Sequence, residues 1–357
     1  MNGPFAHFDG HEQVVYGSDP DSGLRCIIAI HSTRLGPSLG GTRFYPYNSE
    51  EDALVDVLRL SRAMSYKAAC AGLDLGGGKA VIIGDPATDK SEPLLRAYGR
   101  FVDSLGGRYI TACDVGTYPT DMEIVARETR WATGADTVHG GSGDSGILTA
   151  YGVFVGMKAV AERLWDQPTL AGKHVAIQGL GKVGARLAEH LIDDGAKLSV
   201  ADVSTARIED VADRLPVDVI DPADLLAVDA DVLSPNALGA VLSQSTIPDL
   251  QVAAVCGGAN NQLSDPLADA ERLRDRGILY APDYVVNAGG LINVSDELNP
   301  AGYNPERCLA KAEHIGVTLR EIFHLADEHG VNSEVAAERV AERRMAQVSG
   351  LRRLWRA

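Results

Sequence analysis

Residues 175–184 read VAIQGLGKVG, an apolar run followed at once by three glycines in the spacing G-x-G-x-x-G. Such glycines permit a tight turn, a close approach of the backbone to a pyrophosphate, and close packing of the following helix on the strand. The N-terminus of that helix would then face the phosphates. The stretch therefore predicts a strand–turn–helix unit that binds a dinucleotide, and a purely structural glycine turn is the alternative.

Asp202 supplies the second part of this signature, because it ends the next apolar run, 23 residues after Gly179. A carboxylate there accepts hydrogen bonds from the adenosine ribose hydroxyls and repels a 2′-phosphate, so NAD is favoured over NADP. Arg207, five residues further on, leaves tolerance of NADP open, and Asp202 could instead be a turn or capping residue. The predicted cofactor contacts are Gly179, Leu180, Gly181, Lys182, Val183, Gly184 and Asp202.

The apolar pattern extends this unit into a domain. Residues 174–300 alternate short apolar runs with segments of helical spacing, which is typical of a parallel, doubly wound α/β sheet. Residues 12–31 instead predict a hairpin, and residues 50–65 predict a helix with Ser49 as its N-cap. We expect an α/β protein of two domains with a cleft between them. The substrate-binding and oligomerisation domain would comprise residues 1–136 and the C-terminal helix 326–357, and the Rossmann-type NAD domain residues 137–325.

Composition limits the possible partners. The 33 basic and 49 acidic residues give a net charge of −16, which disfavours binding to nucleic acid and to anionic membranes. No apolar run approaches the roughly 20 residues that span a bilayer, and the first ten residues lack the pattern of a signal peptide. The five cysteines and nine histidines are scattered without metal-ligand spacing. We therefore expect a cytoplasmic protein with reduced thiols and no metal site.

A second glycine-rich motif lies in the first half of the chain, where residues 76–79 read GGGK. It is not a phosphate-binding P-loop, because Leu73 and Ala80 stand where that motif has Gly and Ser or Thr. We expect instead a glycine loop that lets the backbone approach a ligand and presents Lys79 to it. A short buried strand should follow in residues 81–83.

Three further polar groups lie in the same half. Residues 40–43 read GGTR and offer backbone N–H groups and a guanidinium. Lys67 is expected just after the first helix, and Asp114 at the end of a strand that begins near Tyr109. A nicotinamide enzyme needs an anchor for its substrate and a group that transfers protons, and these side chains are the candidates. For any one lysine taken alone, a surface charge is the simpler interpretation.

Several motifs together carry a resemblance that spans nearly the whole chain. They are LGPSLGGTR (35–43), MSYK (64–67), GGGK (76–79), CDVGT (113–117), the G-x-G-x-x-G fingerprint and PDYVVNAGG (282–290). With these motifs the chain resembles the glutamate/leucine/phenylalanine/valine dehydrogenase family, and within it the bacterial enzymes that act on valine. The resemblance implies an NAD-dependent enzyme that is homo-oligomeric, mostly through its N-terminal domain.

The resemblance also implies roles for individual residues. Lys79 would be the catalytic lysine, and Asp114 the acid/base partner near the α-amino group and the nicotinamide. The substrate α-carboxylate would be bound by Lys67 with help from Gly40, Gly41 and Arg43.

Further positions are implied on the cofactor side. Ser145 and Thr149 would lie beside the nicotinamide, and Ala237 and Asn260 would line the cofactor or substrate site, with Asn261 an alternative to Asn260. Asn236 stands where close relatives would have cysteine, so its role stays open.

The implied mechanism fits these residue types. Hydride leaves the amino-acid Cα for nicotinamide C4 and gives an iminium. A neutral Lys79 then activates water to attack that carbon, and Asp114 transfers protons as ammonia leaves.

The implied pocket is aliphatic. It would be lined by Leu39, Ala112, Leu291 and Val294, and Leu39 stands where the glutamate enzymes have a lysine for the side-chain carboxylate. Leu291 occupies more space than a valine, which indicates a small, branched substrate, L-valine first, and a role in branched-chain amino-acid catabolism. Since one methylene changes binding by only about 1–3 kcal/mol, overlap with leucine and isoleucine is expected. A phenylalanine or leucine dehydrogenase and a non-catalytic NAD-binding sensor are the alternatives.

Overall fold

The structure, a computed structural model, describes residues 4–237 and 239–351. By their contacts these residues form two compact units. Unit 1 contains the described residues up to Gly143, together with Asn293–Pro305 and the described residues from Ala341 onward. Unit 2 contains Asp144–Ile292 and Glu306–Val340.

Unit 1 is built on a sheet of five strands. Its elements are β1 (Gln13–Asp19), β2 (Leu24–Ser32), β3 (Ser38–Tyr45), α1 (Glu50–Cys70), β4 (Gly76–Ile83), α2 (Glu92–Asp103), β5 (Tyr109–Cys113) and α3 (Pro119–Val125). The strand order is β1-β2-β4-β3-β5. β1 and β2 form the predicted antiparallel hairpin, β4 is antiparallel to β2, and β3 runs parallel to both β4 and β5.

The two faces of this sheet are covered by different helices. On one face, apolar residues of α1 such as Val57 and Leu58 pack against Ile27 and Val81. On the other face, α2 and α3 enclose a larger core that includes Tyr98, a fully buried side chain. Because paired residues in parallel strands share a face, the face against α1 also carries Leu39, Gly41, Arg43, Lys79 and Ala112.

Unit 2 contains a six-stranded, all-parallel sheet in the order β11-β10-β9-β6-β7-β8. The strands are β6 (His174–Gln178), β7 (Lys197–Ala201), β8 (Val217–Val219), β9 (Val232–Pro235), β10 (Ala254–Val255) and β11 (Leu279–Tyr280). Helices alternate with them, as the sequence predicts for a doubly wound fold. They are α4 (Gly146–Trp165), α5 (Gly184–Asp193), α6 (Thr205–Ala212), α7 (Pro266–Asp275), α8 (Asp283–Val286), α9 (Gly289–Asp296), α10 (Pro305–Ala312), α11 (His314–His329) and α12 (Ser333–Leu351), of which α9, α10 and α12 contribute residues to both units.

The unit boundaries differ from the predicted domain boundaries at three places. Residues 137–143, which we placed in the NAD domain, belong to unit 1. Asn293–Pro305, which we placed in the NAD domain, belongs to unit 1. The Glu297 carboxylate accepts hydrogen bonds there from the N–H groups of Gly134 (2.9 Å) and Ser142 (2.8 Å). Residues 326–340, which we placed with the substrate domain, belong to unit 2, where the hydroxyl of Ser333 donates to the carbonyl of Tyr280.

Two local predictions in unit 1 were wrong. The GGGK motif is not a loop, because Gly76 begins β4 and Lys79 lies inside that strand. Lys67 does not follow the first helix but lies in its last turn, since α1 continues to Cys70. The predicted N-cap of that helix is confirmed: the hydroxyl of Ser49 accepts a hydrogen bond from the N–H of Asp52 at 3.0 Å. Across the described ranges no helix combines the length and apolarity needed to cross a membrane.

Candidate active site

The three glycines before Lys79 let other parts of unit 1 approach β4 closely. A Cβ on Gly77 would lie 2.1 Å from the backbone N of Ser65 and 2.6 Å from the carbonyl O of Ser61, both in α1. A Cβ on Gly78 would lie 2.7 Å from the hydroxyl of Ser38 on the opposite face. None of the three glycines has a positive φ. The glycine at 77 therefore permits close packing of α1 on β4, and the glycine at 78 permits the close approach of Ser38 on the opposite face.

Lys79 is buried on the α1 face of the sheet, with 5% of the residue exposed. Its Nζ forms an ion pair with Oδ2 of Asp114 at 2.9 Å. Gly41 makes this approach possible, because a Cβ there would lie 2.9 Å from the Cβ of Asp114. The structure thus brings together the predicted catalytic pair.

Asp114 follows β5, as predicted, and is held by a tight turn. Its N–H donates to the hydroxyl of Thr117 (2.9 Å), and the N–H of Thr117 donates to the carbonyl of Asp114 (3.0 Å). Gly116 has φ +78, and a Cβ there would lie 2.1 Å from the carbonyl O of Phe44 in β3. Glycine is therefore needed in this turn, which fixes where the carboxylate stands.

The charge of Asp114 is set by two cations. Burial opposes ionisation, but the ammonium of Lys79 and the guanidinium of Arg43 outweigh it and lower the pKa of Asp114 to about 2. Arg43 reaches Oδ2 of Asp114 through Nε at 3.0 Å and Oδ2 of Asp56 through a terminal nitrogen at 2.9 Å. Arg43, expected as a helper of the substrate carboxylate, thus binds two carboxylates of its own chain.

Lys67, the predicted carboxylate anchor, is half-buried in the last turn of α1. It lies 11 residues after Asp56, which is close to three full helical turns, so the two residues share a side of the helix. Gly40 packs against β4, where a Cβ would lie 1.7 Å from the carbonyl O of Gly78, and its own carbonyl accepts a hydrogen bond from Tyr109.

The predicted pocket residues are all apolar and mostly buried. Leu39 and Ala112 are 1% and 6% exposed and share the sheet face of Lys79. Leu291 and Val294 lie three residues apart in α9, and hence on one side of that helix.

Each of the three fingerprint glycines of unit 2 is explained by a different physical requirement. Gly179 has φ +90, so it makes the turn after β6. A Cβ on Gly184 would lie 1.9 Å from the carbonyl O of Gly179, so glycine there permits close packing of α5. A Cβ on Gly181 would meet nothing within 4 Å, so the loop is open at that point. A bound pyrophosphate requires these three features, a tight turn, close helix packing and an open backbone, and the residues present therefore fit a dinucleotide.

Asp202 follows β7 directly and is almost fully buried. Its carboxylate accepts hydrogen bonds from the N–H of Leu180 (2.7 Å) and the N–H of Ser204 (2.8 Å), so it ties the fingerprint turn to the end of β7. A terminal nitrogen of Arg207 lies 3.7 Å from Oδ2. Of the other fingerprint side chains, Lys182 is exposed and lies 3.9 Å from Asp144, and Val183 is the N-cap of α5.

The remaining predicted cofactor residues lie at nearby segments of unit 2. Ser145 is the N-cap of α4, and its carbonyl accepts a hydrogen bond from the hydroxyl of Thr149. A Cβ on Gly179 would lie 2.8 Å from the Cβ of Ala237, which places Ala237 at the fingerprint turn. Asn260 accepts a hydrogen bond from the side chain of Asn287 (2.8 Å).

Three residues were missed or left open by the sequence analysis. Asn236 connects β9 to the segment after β10, because its amide donates to the carbonyl of Ser234 and accepts from the N–H of Gly258. The Oδ1 of Asn287 is buried and has no hydrogen-bond partner among the described residues. The position of Asn287 inside the motif of residues 282–290 could have drawn attention to it. Asp56 carries no motif, and only its contact with Arg43 reveals it.

Comparison with known proteins places these features in a family. Residues 11–131 match the family model for the Glu/Leu/Phe/Val dehydrogenase dimerisation domain. Residues 140–210 and 202–357 match the model for glutamate/leucine/phenylalanine/valine dehydrogenase. The chain is 56% identical to the valine dehydrogenase of Streptomyces coelicolor, with 95% of this chain and 93% of the relative covered. It is 48% identical to the leucine dehydrogenase of Geobacillus stearothermophilus, with 94% and 90% covered.

Solved structures agree with this. The L-tryptophan dehydrogenase of Nostoc punctiforme is similar with a TM-score of 0.85 and 44% identity, over 95% of this chain and 97% of that one. The two-domain fold and the family match define an oxidoreductase that uses a nicotinamide dinucleotide. The chain belongs to the glutamate/leucine/phenylalanine/valine dehydrogenase family, and it is an amino-acid dehydrogenase.

Proposed function

We propose that the protein catalyses the reversible, NAD-dependent oxidative deamination of an L-amino acid with an aliphatic branched side chain, L-valine foremost. The products are the 2-oxo acid, ammonia and NADH. The observation that carries this proposal is the buried pair of Lys79 and Asp114 in a chain 56% identical to a valine dehydrogenase over 95% of its length.

In the proposed mechanism each residue of unit 1 has one task. NAD⁺, when bound, accepts the hydride that leaves the substrate Cα, and the substrate becomes an iminium. Lys67 binds the α-carboxylate, with Gly40 and Gly41 beside it. Lys79 in its neutral form takes a proton from the water that attacks the iminium carbon, and Asp114 passes protons to the departing amine. The burial of Lys79 supports this, because it keeps bulk water away from the reacting atoms.

The substrate preference rests on the side chains at Leu39, Ala112, Leu291 and Val294. None carries a charge, so a substrate carboxylate such as that of glutamate would be buried without a partner, which is unfavourable. The binding free energies of aliphatic substrates of similar size should differ by only about 1–3 kcal/mol per methylene. A leucine-preferring enzyme is the second candidate, favoured by the 48% identity to a leucine dehydrogenase.

NAD is the proposed cofactor, in preference to NADP. Asp202 places a negative charge at the end of β7, where it would repel a 2′-phosphate. Arg207 is held 3.7 Å from that carboxylate, so part of its charge is already balanced.

We also propose a cytoplasmic homo-oligomer. Support comes from the name of the family model that matches residues 11–131, a dimerisation domain.

A substrate profile tests the function. NADH formation would be measured at about pH 10, near the ordinary pKa of amines, where release of ammonia is favoured, with L-valine, L-leucine, L-isoleucine, L-phenylalanine and L-glutamate. We expect the highest kcat/KM with L-valine or another branched aliphatic amino acid, and a lower rate when NADP replaces NAD. Preference for L-phenylalanine or L-glutamate would contradict the assigned pocket, and no activity with any amino acid would contradict the enzyme assignment.

A further inference from the structure

Arg43 joins two carboxylates on the α1 face of unit 1. Its Nε binds Oδ2 of Asp114, and a terminal nitrogen binds Oδ2 of Asp56. The guanidinium is planar, so a carboxylate that holds one edge also fixes the direction of the other nitrogen. The orientation of Arg43 toward Asp114 therefore depends on where Asp56 stands.

Asp56 is itself held from two further sides. The hydroxyl of Tyr47 donates to its Oδ2 at 2.7 Å, and Arg59 reaches its Oδ1 at 3.3 Å. The side chain of Asp56 is only 15% exposed. Burial, and then the hydrogen bond to Asp56, raise the pKa of Tyr47, so the phenol keeps the proton that it donates. The geometry thus forms a continuous series from Tyr47 through Asp56 and Arg43 to Asp114.

The contacts of Arg43 and Lys79 determine how the carboxylate of Asp114 is oriented. Both cations, Lys79 and Arg43, bind the same oxygen, Oδ2. Oδ1 is the second oxygen of this carboxylate, and its lone pairs can accept a hydrogen bond from a ligand. Two donors on one oxygen fix the rotation of the carboxylate, and loss of either would let it turn.

We propose that Asp56 is a positioning residue for the deamination: it holds Arg43 so that the carboxylate of Asp114 presents Oδ1 to the reacting amine. This inference rests on the proposed function, since it assumes that Asp114 is the proton-transfer group. Asp56 also supplies a negative charge against the guanidinium of Arg43, which it contacts at 2.9 Å.

The test compares Asp56→Asn with Glu50→Gln, a matched loss of one carboxylate on the same helix. Glu50 pairs with Arg25 at the exposed surface. We expect Asp56→Asn to lower kcat with L-valine about 10- to 100-fold, the range typical of a misplaced catalytic group, while the KM for NAD⁺ changes less than about twofold. Glu50→Gln should leave both values unchanged, and Asp56→Glu should restore part of the loss.

A double-mutant cycle separates positioning from a general loss of structure. If Asp56 acts through Arg43, Asp56→Asn should lower kcat with L-valine less than about threefold in a protein that already carries Arg43→Gln. An equal loss in both backgrounds, an unchanged kcat in Asp56→Asn, or a loss shared by kcat and NADH binding would overturn the proposal. An inactive parent protein would instead mean that the proposed function has failed.

Discussion

The Nζ of Lys79, which lies in β4, is 2.9 Å from Oδ2 of Asp114, which follows β5, and Lys79 is almost entirely buried. A buried ammonium is costly unless it is paired, and Asp114 supplies the pair. Because Arg43 shares the same oxygen, removal of Lys79 does not leave Asp114 without a counter-charge.

Lys79→Ala should therefore abolish most turnover without unfolding the protein. We expect kcat with L-valine to fall by about 10²- to 10⁴-fold, the usual contribution of a general base. NADH binding, followed by fluorescence, should change less than about twofold, because the fingerprint lies in unit 2. Equal losses of turnover and NADH affinity would show that the lysine has another role.

Gly77→Ala should destabilise unit 1. The new Cβ would lie 2.1 Å from the backbone N of Ser65, and neither the strand nor the helix can move without disturbing its neighbours. Overpacking of this kind costs typically about 1–3 kcal/mol, measured as the change in the free energy of unfolding in urea. Gly350→Ala is the control, because a Cβ there meets nothing within 4 Å. Equal stability of the two variants would contradict the packing explanation.

Gly181→Val should weaken cofactor binding and leave stability nearly unchanged. Its side chain would enter the open space that a pyrophosphate needs, so the Kd for NADH should rise at least about tenfold, or about 1.4 kcal/mol. Gly184→Ala should instead lower the free energy of unfolding, because its Cβ would lie 1.9 Å from the carbonyl O of Gly179. An unchanged Kd in Gly181→Val would mean that the dinucleotide does not pass over this turn.

The stability of unit 1 should fall in mild acid because of His31. Burial, with His11 and Arg62 nearby, lowers the pKa of His31 from 6.5 to about 4, and its Nδ1 lies 2.7 Å from the hydroxyl of Ser65. The unfolded chain therefore takes up this proton first as the pH falls below 6.5. The free energy of unfolding should therefore fall by up to about 3 kcal/mol between pH 6.5 and 4.

This dependence is measured by urea unfolding at several pH values. His31→Asn keeps a polar atom near Nδ1 but cannot titrate, so its stability should decline less steeply between pH 6.5 and 4. His324→Asn, a change at an exposed histidine of α11, should follow the parent protein. A parallel decline in all three proteins would exclude His31 as the source.

The parts of the fold that follow from local pattern could be predicted from the sequence. The fingerprint at Gly179, the strand that precedes Asp114 and the N-cap at Ser49 each depend on residues adjacent in the chain. The GGGK motif was misinterpreted because the atoms that require Gly77 belong to Ser61 and Ser65, which only the folded chain brings near. Asp56 was missed for the same reason: nothing beside it in the sequence announces its contact with Arg43.

Glu297 has a consequence for the order in which the protein is made. Its carboxylate accepts hydrogen bonds from the N–H groups of Gly134 and Ser142, so these two bonds of unit 1 form only after a residue 163 and 155 positions later has been synthesised. Unit 1 also includes described residues after Ala341. Neither unit is a single continuous segment. When synthesis has reached only residue 143, unit 1 still lacks the later segments that complete it. Co-translational folding of unit 1 should therefore finish only after α12 emerges from the ribosome.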